Sequence, residues 1–140
     1  MPERQFHFSV KAFILKDGNF LVLQKKKRAK ENVWDLPGGK MEFGETAEQT
    51  LAREVFEEIG CMVAPTKVLD TWNYIEDKRH ITGIFYLCRM TNDKIQLSDE
   101  HVRFQWVNAQ SETSKIMCAP FEERMAKWNW DAILDEKLAI

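Results

Sequence analysis

Residues 38–61 read GGKMEFGETAEQTLAREVFEEIGC, and three glutamates, Glu54, Glu57 and Glu58, fall within five consecutive positions of it. Thr46-Ala47-Glu48-Gln49 matches the capping-box pattern, in which a threonine hydroxyl and a glutamine side chain each satisfy an amide left over at a helix start. The spacing predicts a helix over Ala47–Ile59, ended by Gly60, the residue type that takes the left-handed conformation without strain. Leu51, Val55 and Ile59 lie along one side, and Ala52 and Phe56 widen the apolar arc, so this side is expected to face the core. The three glutamates occupy an arc of roughly 100° beside it, because positions three and four apart are neighbours on a helix. Each such like-charged pair costs about 0.2–0.5 kcal/mol in an isolated helix. Three glutamates alone describe a solvated face more often than a site. A divalent cation removes the repulsion, and Mg²⁺ favours oxygen ligands, typically one or two carboxylates with water and substrate phosphate.

The whole segment is more specific than its glutamates. Gly39, Glu45, Arg53-Glu54-Val55, Glu57-Glu58, Gly60 and Cys61, with WDLPG just before them, resemble the signature of the Nudix hydrolases over about 23 residues. Cys61 stands where an aliphatic residue is usual, and a buried thiol serves as a small hydrophobe. The resemblance implies an α/β/α sandwich of the α/β (α+β) class, with a mixed β-sheet and a loop-helix-loop metal site. It implies hydrolysis of a nucleoside diphosphate linked to another group, with Mg²⁺ or alternatively Mn²⁺ as cofactor. Carried over by position, the metal-binding set is Glu54, Glu57 and Glu58 with the backbone carbonyl of Gly38, and Arg53 orients a glutamate by an ion pair. Glu45, at the helix entrance, is expected to be mainly structural. Members of the family differ in the proton acceptor: Glu54 is the first candidate and Glu100, in the loop LSDEHVRFQWV, the second.

The remainder of the chain frames this segment. With 140 residues, 44% of them hydrophobic, it has the size of one compact domain, 1–140. Twenty basic and twenty-two acidic residues leave a formal charge of −2, so no global field favours a nucleic-acid polymer or an anionic membrane. No run approaches the roughly 20 apolar residues of a membrane span, and the N-terminus lacks a signal-peptide core. A soluble, cytoplasmic protein, monomer or homodimer, is the expectation. Cys61, Cys88 and Cys118 show no zinc-ligand or redox spacing and read as free, mostly buried thiols. Phe6, Phe8, Val10, Ala12 and Ile14 alternate as a strand with one buried face, and Lys16-Asp17-Gly18-Asn19 turns it into FLVLQ, forming a hairpin. KKKRAKENV reads as a loop; TKVLDTWNYIED, HITGIFYLCRM and VRFQWVN read as strands. After Pro120 the composition is helical and reads as one helix packed on the sheet, with Asn129 the place where it could break. Strands on both sides of a central helix, with helix again at the end, argue for a mixed sheet between helices.

Substrate is less legible. Asp77 and Lys78-Arg79 stand where some Nudix subgroups carry a proline for ADP-ribose or a tyrosine for dinucleoside polyphosphates. A compact chain without these markers is most similar to the MutT-type enzymes, which implies an NTP or dNTP, a modified base included, cleaved to the monophosphate and pyrophosphate. ADP-ribose or nucleotide-sugar hydrolysis is the alternative, and a non-catalytic nucleotide sensor a third. Trp72, Tyr74 and Phe85 are candidates to stack on a base, although core packing is the commoner fate of such residues. Lys25, Lys26, Lys27, Arg28 and Lys30 either grip phosphates or form a solvated basic loop. Trp128 and Trp130 pack the last helix on the core or form a dimer contact.

Overall fold

The structure is a computed structural model and describes residues 3–92, 94–111, 116–117 and 119–135. Its centre is β1, Gln5–Lys16. This strand runs parallel to β5 (Arg79–Met90) along one edge. Along the other it pairs antiparallel first with the three-residue β3 (Gly38–Lys40) and then, through the hairpin, with β2 (Asn19–Lys25). β4 (Val63–Glu76) and β6 (His101–Asn108) complete a mixed six-stranded sheet of order β4-β5-β1-β2-β6, with β3 off that path.

The sheet is covered on both sides. Beneath one face α1 (Ala47–Ile59) buries Leu51, Val55 and Ile59 against Val10, Ala12, Ile14, Leu21 and Leu23. Full burial of each such side chain stabilises the fold by about 1.5–3 kcal/mol. On the other face two short helices, α2 (Phe121–Met125) and α3 (Trp130–Leu134), cover Phe13, Leu15, Phe20 and Phe85 with Phe121, Met125 and Ile133. The mixed sheet between helices is thus the expected α/β/α arrangement, α+β in class.

Three expectations need correction. β1 has one partly buried face only at its start, where Phe6 remains exposed; from Val10 to Leu15 both faces are buried, because helices cover both. Ala52 and Phe56 do not reach the core: the buried stripe of α1 is narrow, and Phe56 is 56% exposed. The basic segment is not a plain loop but a 3₁₀ turn, Lys26–Glu31, ended by Asn32 in the left-handed conformation. The predicted caps of α1 are present, with Thr46 and Gln49 bonded reciprocally and Gly60 at φ 68°. The helical tail is broken at Asn129, whose side chain accepts from the Ala132 amide and caps α3. Cys61 and Cys88 are both buried, whereas Cys118 lies outside the described residues.

Candidate metal centre

The helix holds its acidic cluster with one arginine. Arg53 Nε and Nη2 donate to the two oxygens of Glu45 at 2.6 and 3.0 Å, Nη1 donates to Glu54 at 2.8 Å and to Glu57 at 3.3 Å, and Nη2 also reaches the Lys40 carbonyl at 3.1 Å. The guanidinium has enough donors in a planar fork to serve all of these, which an ammonium does not. Glu45 is a hub of its own: it accepts from the Glu42 amide and the Thr50 hydroxyl as well, and the Arg53 contact leads a set of bonds that holds it at about 2. Its expected structural role is what these contacts describe, since it fastens the helix entrance to the arginine that faces the cluster.

Glu58 faces the glycine strand. Its Oε1 accepts from the Gly38 amide at 3.0 Å, and desolvation pushes its carboxyl up to about 8, with Lys11 and the Gly38 N–H only partly opposing. Ladder alternation explains why that amide is available. Ala12 donates to the Pro37 carbonyl and Met41 to the Phe8 carbonyl, so Gly38, opposite Lys11, falls between bonded pairs and turns its amide and carbonyl away from β1. Gly38 adopts φ 142°, which L side chains rarely take, and a Cβ there would overlap the Val10 carbonyl. At Gly39 a Cβ would overlap the Glu54 carboxylate, so this glycine is needed because the acid lies against its Cα. Burial raises the Glu54 carboxyl, and the charge of Glu57 adds to that, against the pull of Arg53.

This donor set fits a divalent cation. It offers hard carboxylate oxygens from adjacent helical turns, a glycine backbone already in contact with one of them, and two carboxylates whose ionised forms are disfavoured without positive charge. Among the described residues no three acidic, histidine or cysteine side chains are drawn into a closed ligand set. The glutamates converge on Arg53 and on the Gly38 amide rather than on a common point.

The other candidates are distributed unevenly. Glu100 lies in the turn before β6, where its carbonyl accepts from the Lys26 amide, and with Asp99, Lys25, Lys26 and Lys27 it lines a cavity of about 560 Å³. Arg28 pairs with Glu31 within the 3₁₀ turn at 2.8 Å. Trp72 does not present a stacking face: it is 4% exposed, its ring lies over Gly83, and Phe121 meets it edge-on at 5.1 Å. Phe85 is likewise in the core. Tyr74 is half-buried; its hydroxyl donates to Glu76 and the Arg79 guanidinium lies over its ring at 6.0 Å. Trp128 and Trp130 pack on Phe13, and Trp128 Nε1 donates to Asp70, which places both against the core.

Sequence reasoning missed Lys11, Asp35 and Ser9. Lys11 is buried at 9% exposure, donates to Asp35 at 3.1 Å and to the Leu36 carbonyl at 3.3 Å, and so ties β1 to the strap that leads into Gly38. The Ser9 hydroxyl donates to the Gly39 carbonyl at 3.0 Å. The available signal was a lysine inside VKAFIL, where a charge interrupts a strand whose neighbours are apolar on both sides.

Comparison with known proteins bears on the family and the fold. A family model described as the NUDIX domain matches residues 5–129. An 8-oxo-dGTP diphosphatase from Proteus vulgaris is 36% identical over 101 residues, 71% of this chain and 88% of that protein. An ADP-ribose pyrophosphatase from Methanocaldococcus jannaschii is 28% identical over 94 residues, 66% of this chain and 56% of that protein. Among solved structures, the MutT protein from Methanosarcina mazei Go1 superposes with a TM-score of 0.79 at 27% identity, covering 96% of this chain and 99% of that one.

Proposed function

Because the chain belongs to the Nudix hydrolase family, and so acts on nucleotide pyrophosphates, we propose that it is a MutT-type pyrophosphohydrolase converting an NTP or dNTP, a modified base included, to the monophosphate and pyrophosphate with Mg²⁺, or Mn²⁺ in its place. The observation that carries the reading is the arginine-centred acidic cluster against two glycines that have no room for a side chain. Similarity to the 8-oxo-dGTP diphosphatase over most of that protein's length favours a triphosphate. The cavity lined by three lysines favours a ligand with several phosphates.

In this reading Glu54, Glu57, Glu58 and the Gly38 carbonyl hold the ion. Bound there, it would neutralise phosphate oxygens and lower the pKa of an attacking water. Arg53 holds Glu54 and Glu57 on the same side of the helix, from which both carboxylates would turn toward the ion on binding. Glu54 accepts the proton of the water, its affinity for protons already raised by burial. Glu100, beside the basic cavity, is the alternative acceptor. Lys25, Lys27 and Arg28 meet the outer phosphates, and Tyr74 is the remaining aromatic candidate for the base. The similarity to an ADP-ribose pyrophosphatase supports a second reading, in which the same centre cleaves ADP-ribose or a nucleotide sugar.

Incubation with Mg²⁺ and a nucleotide panel, with products identified by chromatography, tests both. Pyrophosphate and monophosphate from triphosphates support the first reading; AMP with a sugar phosphate supports the second. No turnover of any nucleotide with Mg²⁺ or Mn²⁺ would reject catalysis altogether and leave a nucleotide-binding module.

A further inference from the structure

We infer that Gln24, at the end of β2, is the positioning residue that holds the basic turn in place for substrate phosphates, an inference that rests on the triphosphate reading of that turn. Gln24 is fully buried, an expensive place for a carboxamide unless both of its ends are bonded. Both are. Its Oε1 accepts from Arg103 Nε at 2.9 Å and from Arg103 Nη2, and its Nε2 donates to Asn32 Oδ1 at 3.2 Å. One side chain therefore joins three segments: β2, the neighbouring β6, and the residue that ends the 3₁₀ turn.

The junction matters because it is the side-chain tie at the end of the turn, next to Asn32. None of the six residues Lys26–Glu31 is buried, so no apolar side chain anchors it. Among the described residues, its first residue is tied to the sheet by the Lys26 amide on the Glu100 carbonyl at 2.8 Å, at the opposite end from Asn32, and three residues past Asn32 the backbone rejoins β2 through the reciprocal Leu23–Asp35 pair at 2.8 and 2.9 Å. A register shift between Gln24 and Lys25 bends the β2–β6 ladder just before its last pair, Lys25 with His101, directly after the buried carboxamide. Asn32 takes φ 54°, a left-handed conformation, and its amide closes the turn on the Ala29 carbonyl. The Arg103 guanidinium, held by Gln24, lies over the Trp34 ring at 5.6 Å, one residue before Asp35 enters the strap to the glycines. Gln24 thus fixes the lysine turn, and through Arg103 and Trp34 it touches the strap of the metal centre.

The effect expected of such a residue is on binding rather than on the chemical step. A turn that has lost its side-chain tie at Asn32 is looser and must be ordered again by the substrate, and that cost falls on ground state and transition state alike. Two variants separate this from loss of fold. Gln24→Leu removes both arms, and Asn32→Gly removes only the acceptor in the turn while suiting the left-handed backbone. With a triphosphate substrate and Mg²⁺, each should raise KM about threefold to tenfold, the range a lost hydrogen bond commands, with kcat within about twofold of the parent. The double variant should be no worse than Gln24→Leu alone. Lys27→Ala combined with Arg28→Ala serves as the control for the turn itself. If that control raises KM while Gln24→Leu and Asn32→Gly lower the melting temperature but leave KM unchanged, the carboxamide is a structural element only and the inference is overturned. If the control also leaves KM unchanged, it is the assignment of phosphates to the turn that fails, and the role of Gln24 with it.

Discussion

Removing the ionisable group of Glu58 should change how the metal-free protein responds to pH. Burial raises this carboxyl from 4.5 to about 8. Over that interval the folded state keeps a proton that the unfolded state has released, so ν is larger in the native state and stability falls as pH rises. The contribution is fully present below about pH 4.5 and is lost as pH passes through about 8. At about 1.4 kcal/mol per unit the full loss is bounded near 5 kcal/mol, and water access and side-chain relaxation bring the expected figure to roughly 2–4 kcal/mol. Glu58→Gln keeps an oxygen for the Gly38 amide but cannot ionise. Urea unfolding of parent and variant in EDTA, followed by tryptophan fluorescence from about pH 5 to about pH 8.5, reads this group together with its coupling to Glu54 and Asp35, while titrations elsewhere cancel in the difference. The variant should gain on the parent by that amount across the range, and adding Mg²⁺ at the alkaline end should recover stability for the parent alone. A difference in stability that stays flat with pH would refute the assignment of a desolvated, ionisable acid to this position.

Further outcomes follow from neighbouring contacts. Gly39→Ala puts a methyl group into the Glu54 carboxylate, the end of a flexible side chain, so circular dichroism should show an intact fold while turnover drops at least about tenfold. Gly83→Ala, by contrast, meets the Trp72 ring and the Ser9 carbonyl, and should destabilise by about 1–3 kcal/mol in a thermal melt through overpacking. Arg53→Lys cannot serve Glu45, Glu54, Glu57 and the Lys40 carbonyl together; a loss of about 1–3 kcal/mol on unfolding is expected, with kcat falling more than KM rises in steady-state kinetics. Trp72→Phe removes the buried side-chain polar atom that lacks a partner among the described residues, so its unfolding free energy should stay within about 1 kcal/mol of the parent, against about 3–5 kcal/mol lost by Trp72→Ala.

What could be read from the chain was whatever is encoded locally. The capping box, the glycine that ends α1 and the stripe of Leu51, Val55 and Ile59 are patterns within one helix, and each appears as expected. The identities of Arg53 and the glutamates were legible because the signature spaces them along one stretch. Which partner each would choose was not, since that depends on what the sheet brings near: Glu58 takes an amide twenty residues away, and Arg53 turns back to Glu45. Trp72 was misplaced because an aromatic residue in a strand looks the same whether its face meets a helix or solvent, and only the seating of Phe121 on the sheet decides it. Phe56 was misplaced for the converse reason, at the margin of an arc wider than the groove beneath it. Lys11 and Gln24 are polar residues in apolar strands whose partners lie 24 and 79 residues away.

The pairing of three-residue β3 with the middle of β1 has a consequence for how this protein can change. β1 is also the strand that β5 and the hairpin are built upon, so the glycines facing Glu54 and Glu58 cannot shift unless the whole architecture gives way. The lysine turn hangs outside that framework, with no residue in the interior. Substitutions in the turn can therefore accumulate without disturbing the sheet, whereas a change at Gly38 or Gly39 is felt by β1 and by the acidic cluster at once.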